Sequence, residues 1–177
     1  TIGDLQVPVP IVQGGMGIGV SGRRLATAVA NQGGIGVLSA VGLGYLGLPC
    51  EIEAQEGDSH NITMLRQELR KARQQTRGVL GVNIMVAIRE FTETARAAIE
   101  EGVDIIFAGA GLPLNLPACL TEQAKTKLVP IVSSAKAAKL IAKRWMSKYQ
   151  YAPDAFVLEG PKAGGHLGFS LEEIDHP

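Results

Sequence analysis

Six short apolar runs recur along this chain, beginning near residues 9, 35, 79, 104, 128 and 155, and a helical pattern lies between each pair. Leu25, Ala28 and Val29 mark the first helical face, and Ile62, Leu65, Leu69 and Ala72 the second. Phe91, Ala95, Ala98 and Ile99 mark the third, and Ala137, Leu140, Ile141 and Trp145 another. Strands that alternate with helices pair in parallel, because each helix carries the chain back to the same end of the sheet. The spacing predicts an α/β chain with (β/α)8 TIM-barrel winding and about six of the eight strands. A doubly wound open sheet is the alternative. Residues 1–177 are expected to form a single domain. A full barrel takes about 250 residues, so the expectation is truncation at the C-terminal side, with a gap between the first strand and the sixth. The phosphate site that strands seven and eight supply in such barrels is then expected beyond Pro177.

Residues 7–13 read as the first strand, with Pro8 and Pro10 near its start, where a missing N–H costs little. Ser21 is a plausible N-cap for a helix over residues 22–31, and Asn61 for one ending near Thr76. Arg66, Arg70, Lys71 and Arg73 on that second helix read as a solvated charged face. Residues 42–60 lack periodicity and are punctuated by Gly42, Gly44, Gly47, Pro49 and Gly57, which predicts a long irregular loop. Gly17, Gly19 and Gly22 match G-x-G-x-x-G. A dinucleotide fingerprint needs an acid about 20 residues on, and the second strand ends in Ser39 and Ala40 instead. The strand ends carry Gln13, Ser39, Asn83, Ala108, Ser133 and Glu159, mostly small or polar, as on the active-site rim of a β/α barrel.

The richest stretch for chemistry follows the sixth apolar run. After Glu159 the chain reads GPKAGGHLGF, a glycine-rich loop with His166 at its tip. Glycines on both sides let the backbone approach a flat or anionic ligand, and imidazole titrates near neutrality. An ordinary βα turn with a solvated histidine is the blander reading. With Pro10-Ile11-Val12-Gln13-Gly14-Gly15-Met16-Gly17, Asn31-Gln32-Gly33-Gly34-Ile35-Gly36, Gly81-Val82-Asn83-Ile84-Met85 and Ala108-Gly109-Ala110-Gly111 in that order, the chain resembles the nitronate monooxygenase (2-nitropropane dioxygenase-like) flavoproteins over nearly its whole length. The FMN-dependent enoyl-acyl-carrier-protein reductases share most of these motifs.

The resemblance implies FMN as cofactor and the oxidation of alkyl nitronates with dioxygen, His166 acting as base or orienting the substrate. It implies that Gln13, Gly14, Gly15 and Met16 lie along the flavin ring and that Asn83 bonds the ring edge or the substrate. Gly164 and Gly165 would permit close approach. Glu159 stands where the family often has Gln, at a position that contacts the cofactor. Lys162 reads as an exposed loop residue. Reduction of an acyl-carrier thioester by NAD(P)H is the alternative activity.

Composition narrows the partners. Lys and Arg total 17, and so do Asp and Glu, with no basic stripe interleaved with aromatics, so nucleic acid is not expected. No apolar run reaches the roughly 18 residues of a membrane span. Cys50 and Cys119 form no C-x-x-C pair; both read as free thiols in a reducing cytoplasm, and no metal site is expected. A homodimer is compatible with the family resemblance.

Overall fold

The computed structural model of the protein describes residues 1–166, 168–170 and 172. Its elements are α1 (Arg23–Asn31), β1 (Ile35–Ser39), α2 (His60–Gln75), β2 (Val79–Met85) and α3 (Phe91–Glu100). They continue with β3 (Ile105–Gly109), β4 (Lys127–Val132), α4 (Ala135–Tyr149) and β5 (Val157–Leu158). The strands form one parallel sheet in sequential order, β1 to β5. A doubly wound sheet reverses its strand order at a switch point; these strands show no reversal, so the winding is that of a barrel, curled over part of its circumference.

The first predicted strand is reduced to one parallel bridge, Val12 opposite Ile35. The segment does lie beside β1: Ile35 N donates to Ile11 O at 2.9 Å and Gln13 N to Ile35 O at 3.0 Å. Pro8 and Pro10 have no N–H to give, and Ile11 N turns back to Val9 O at 2.7 Å, so no longer ladder forms.

β1 to β4 bury both faces over most of their length, which is why their sequence runs are continuously apolar rather than alternating, whereas Leu158 of β5 is exposed. On the outer face Leu38, Leu80, Val82, Ile84, Ile106 and Leu128 pack under the helices, together with Met64, Leu65, Leu69 and Trp145. On the inner face Ile35, Val37, Val79, Ile105, Phe107 and Val129 form a separate cluster, floored by Ile2, Leu5 and Val7. The outer layer is tight. A Cβ on Gly36 would stand 1.8 Å from the carbonyl oxygen of Ala26, so α1 can lie on β1 only because residue 36 has no side chain. Two strand starts are locked by the same device. Asp104 accepts from Leu80 N, and Asp154 from Leu128 N, both at 2.8 Å, each acid standing just before the next strand. Tyr151 also donates to Asp154, and burial, with that carboxylate beside it, pushes the phenol above its ordinary range.

Helix ends depart from the sequence reading in two places. Ser59, not Asn61, caps α2, accepting from Ile62 N at 3.4 Å. Asn61 instead ties down the loop after β1, accepting from Gly44 N at 3.1 Å and donating to Ala40 O at 3.0 Å. Gly22, not Ser21, stands at the N-cap of α1, and Ser21 turns inward.

The charged face of α2 is also different from the solvated surface expected. Arg66 is buried, and its guanidinium donates to Asp58 at 2.7 Å, Glu100 at 2.7 Å and Glu101 at 3.3 Å. Burial opposes its charge, and the hydrogen bonds to Asp58 and Glu100 more than offset that, so its pKa stands above the usual guanidinium value. Arg70 grips Glu101 with two bonds of 2.6 and 2.7 Å, and Arg73 reaches Asp104 at 2.7 Å. The long loop is strapped along the same helix. Gln67 accepts from Glu51 N at 2.6 Å and donates to Pro49 O at 2.9 Å, and Lys71 pairs with Glu51 at 2.8 Å. Among the described residues no helix is long and apolar enough to cross a membrane.

Candidate active site at the strand ends

Side chains alternate along a strand, so the inner-face series Val79 and Gly81 continues to Asn83 at the C-terminal part of β2. Parallel strands bring their C-terminal ends to one rim. Asn83 lies two residues before the end of β2, and Ser133, Glu159, the loop of residues 14–20 and the loop carrying His166 follow strands at that rim.

Asn83 is half-buried, and its carboxamide has no hydrogen-bond partner among the described residues. It is covered from one side by Gly15: a Cβ there would lie 2.4 Å from Asn83 Cβ and 2.7 Å from its Cγ. Glycine at 15 is what allows the loop to close on the amide. Gln13, by contrast, has spent its amide inside the protein. Its Nε2 donates to Ser21 Oγ at 2.9 Å and Val37 O at 3.0 Å, and its Oε1 accepts from Val37 N at 3.2 Å.

The loop of residues 14–20 is exposed, and Met16, Ile18 and Val20 present apolar surface. Ile18 has φ of 46°, a left-handed conformation that β-branched residues rarely adopt, and Ala110, just past β3, has φ of 52°. Both strained residues stand at the rim, where such backbone clusters in enzymes.

Glu159 and Ser133 do something the sequence reading missed. Glu159 accepts from Gly168 N at 3.2 Å, and Ser133 Oγ donates to Gly168 O at 2.9 Å. One residue, two positions beyond His166, is thus held through both its N–H and its C=O, and the glycine-rich loop is fastened to the ends of β4 and β5. His166 and Lys162 themselves are exposed, as are Gly164 and Gly165. The only sequence sign of this clamp was that both acceptor and donor end their strands.

Elsewhere the chemistry is sparse. Cys119 is buried, which pushes its thiol up, so it is a poor nucleophile. A hollow of about 450 Å³ lies at the opposite end of the strands, beside Gln6, Gly102, Lys125 and Lys127. It is made by strand-start loops, the end that in β/α barrels serves stability, while reactions sit at the C-terminal rim.

The family description nitronate monooxygenase matches residues 2–176. The chain belongs to the nitronate monooxygenase family. It is 28% identical over 159 residues to (3aS,4S,5R,7aS)-5-hydroxy-7a-methyl-1-oxo-octahydro-1H-indene-4-carboxyl-CoA dehydrogenase of Mycobacterium tuberculosis, which covers 90% of this chain and 38% of that protein. The dehydrogenase of the same name from Rhodococcus jostii matches to the same extent. The chain therefore spans well under half the length of these curated relatives. Among solved structures, FabK from Thermotoga maritima superimposes with a TM-score of 0.70 at 28% identity, over 92% of this chain and 44% of FabK. A nitroalkane oxidase from Streptomyces ansochromogenes superimposes with a TM-score of 0.66 over 94% of this chain and 51% of its own; at 23% identity it supports the fold alone. The nitronate monooxygenase family thus joins this half-barrel to oxidoreductases.

Proposed function

We propose that the chain forms the flavin-binding part of an FMN-dependent oxidoreductase that oxidises alkyl nitronates with dioxygen. The observation that carries this reading is the Asn83 carboxamide, without a hydrogen-bond partner among the described residues and closed over by Gly15, within a family match covering nearly the whole chain. The residues suit a flavin. An isoalloxazine needs flat apolar contact on its faces and both donors and acceptors along its edge. Gly14, where a Cβ would touch nothing within 4 Å, leaves room for a ring, and Met16 offers a soft apolar surface. Asn83 carries a donor and an acceptor on one amide.

In this reading Gly14, Gly15, Met16 and Asn83 hold the cofactor, with Gly164 and Gly165 on the facing loop. Gln13 acts from beneath, through its bonds to β1. Glu159 serves by fastening the loop through Gly168. When bound, FMN supplies the electron transfer from substrate to dioxygen that no side chain can perform. His166 orients the nitronate anion or, where the neutral nitroalkane enters, accepts its α-proton to leave that anion, on a loop whose backbone is held two residues away.

A second reading has an observation of its own. Both curated relatives are named as dehydrogenases of a CoA compound, which favours an acyl thioester as substrate class; the second reading is reduction of such a thioester by NAD(P)H. The two readings separate in one set of assays on the full-length protein. Flavin absorption bands and oxygen uptake that rises with added nitronate, without nicotinamide, are expected. Oxidation of NAD(P)H driven by a crotonyl thioester, with no response to nitronate, would replace the first reading by the second.

A related test bears on the binding site. Gly15→Ala forces a methyl group into Asn83, so flavin content of the purified variant should fall about tenfold or more while helical signal persists, tenfold corresponding to about 1.4 kcal/mol of binding. Native flavin content in that variant would mean that the Gly15 contact does not shape the site.

A further inference from the structure

We propose that Ser21 is a positioning residue that sets the backbone of the cofactor-holding loop from inside, an inference that rests on the flavin reading above. Ser21 is 1% exposed, and its hydroxyl is fully used. Its Oγ accepts from Gln13 Nε2 and from Met16 N, both at 2.9 Å, and donates to Gly14 O at 3.2 Å. One donor and two lone pairs are all that a hydroxyl has. The backbone of Ser21 completes the link: its N–H donates to Met16 O at 3.1 Å, and its C=O accepts from Ser39 N at 2.9 Å, at the end of β1.

The consequence lies at Gly15. No peptide bond among the described residues is cis, and in a trans peptide C=O and N–H point in opposite directions. With Gly14 O drawn inward to Ser21, the N–H of Gly15 turns away from it. With Met16 N–H drawn inward to the same oxygen, the C=O of Gly15 turns away as well. Neither group of Gly15 has a hydrogen-bond partner among the described residues. One buried hydroxyl thus exposes an adjacent donor and acceptor of the main chain next to the free amide of Asn83. That arrangement matches the alternating donors and acceptors along the edge of a flavin. Ser21 touches no ligand in this scheme; it decides which way Gly15 faces.

The test uses the full-length protein and FMN as the probe, with Ser21→Ala and the near-isosteric Ser21→Cys, whose thiol is a weak hydrogen-bonding group. Both variants are expected to bind FMN about tenfold more weakly, with a displaced flavin absorption band. Hydrogen exchange of the Met16 amide, read in the flavin-free protein, should quicken about tenfold. Should Ser21→Ala fail to fold, Ser21→Cys decides. Wild-type affinity in either folded variant, or unchanged Met16 exchange, overturns the proposal. Absence of any flavin titration in the wild type is a different failure: it overturns the flavin reading itself, and the role of Ser21 falls with it.

Discussion

Replacing Arg66 with leucine is expected to lower the unfolding free energy by about 3 kcal/mol, at the lower end of what breaking a buried ion pair costs. The guanidinium is 5% exposed and holds Asp58, which is 11% exposed and has no other ionic partner among the described residues. Leucine fills much of the space but leaves that carboxylate desolvated and unpaired, and the penalty falls on the partner left behind. Two features keep the loss from being larger. Glu101 retains both bonds from Arg70, and Glu100 is half exposed and recovers water. The same substitution frees the end of the loop at Asp58, so protease cutting within residues 46–58 should quicken as well. Urea unfolding monitored by circular dichroism measures the first effect. A loss below about 1 kcal/mol would show that solvent screens the network as it does at a surface.

Arg66 also shows where sequence reading stops. Four basic residues on one helix read as a solvated face because the acids that answer them are far away in the chain. Asp58 comes from the loop before α2, and Glu100 and Glu101 from the end of α3. Local periodicity holds no information about such partners. The barrel winding was legible, because buried parallel strands impose continuous apolar runs whatever their partners. The first strand was over-read: the apolar run of residues 7–13 is real, but Pro8 and Pro10 remove the donors on which a ladder depends. Ser21 and Asn61 have the chemistry of helix caps, and each uses that chemistry on a loop instead. At the rim, Asn83 and Glu159 could be found as polar residues that close apolar runs, although β2 continues past Asn83 to Met85. That Glu159 and Ser133 grip one residue of the His166 loop depended on long-range contacts to Gly168 that composition does not encode.

His166→Ala is expected to reduce turnover of the flavin-loaded, full-length protein about 100-fold, the lower part of the range for a lost general acid or base. The flavin content should stay near that of the wild type. The expectation rests on the loop. Its glycines leave the backbone unencumbered, and Gly168 is tied to Glu159 and Ser133, so the loop that bears the imidazole has a fixed attachment at the rim. The histidine is exposed and makes no hydrogen bond to any described residue, so among the described residues its removal orphans no partner. A drop in turnover then reports chemistry rather than stability. A companion substitution separates proton transfer from loop placement. Ser133→Ala removes one of the two grips on Gly168 while leaving the imidazole in the chain, so turnover should fall about tenfold. Its dependence on pH should keep the shape seen in the wild type. Full activity in His166→Ala with native flavin loading would remove the histidine from the mechanism and leave it as a solvated loop residue.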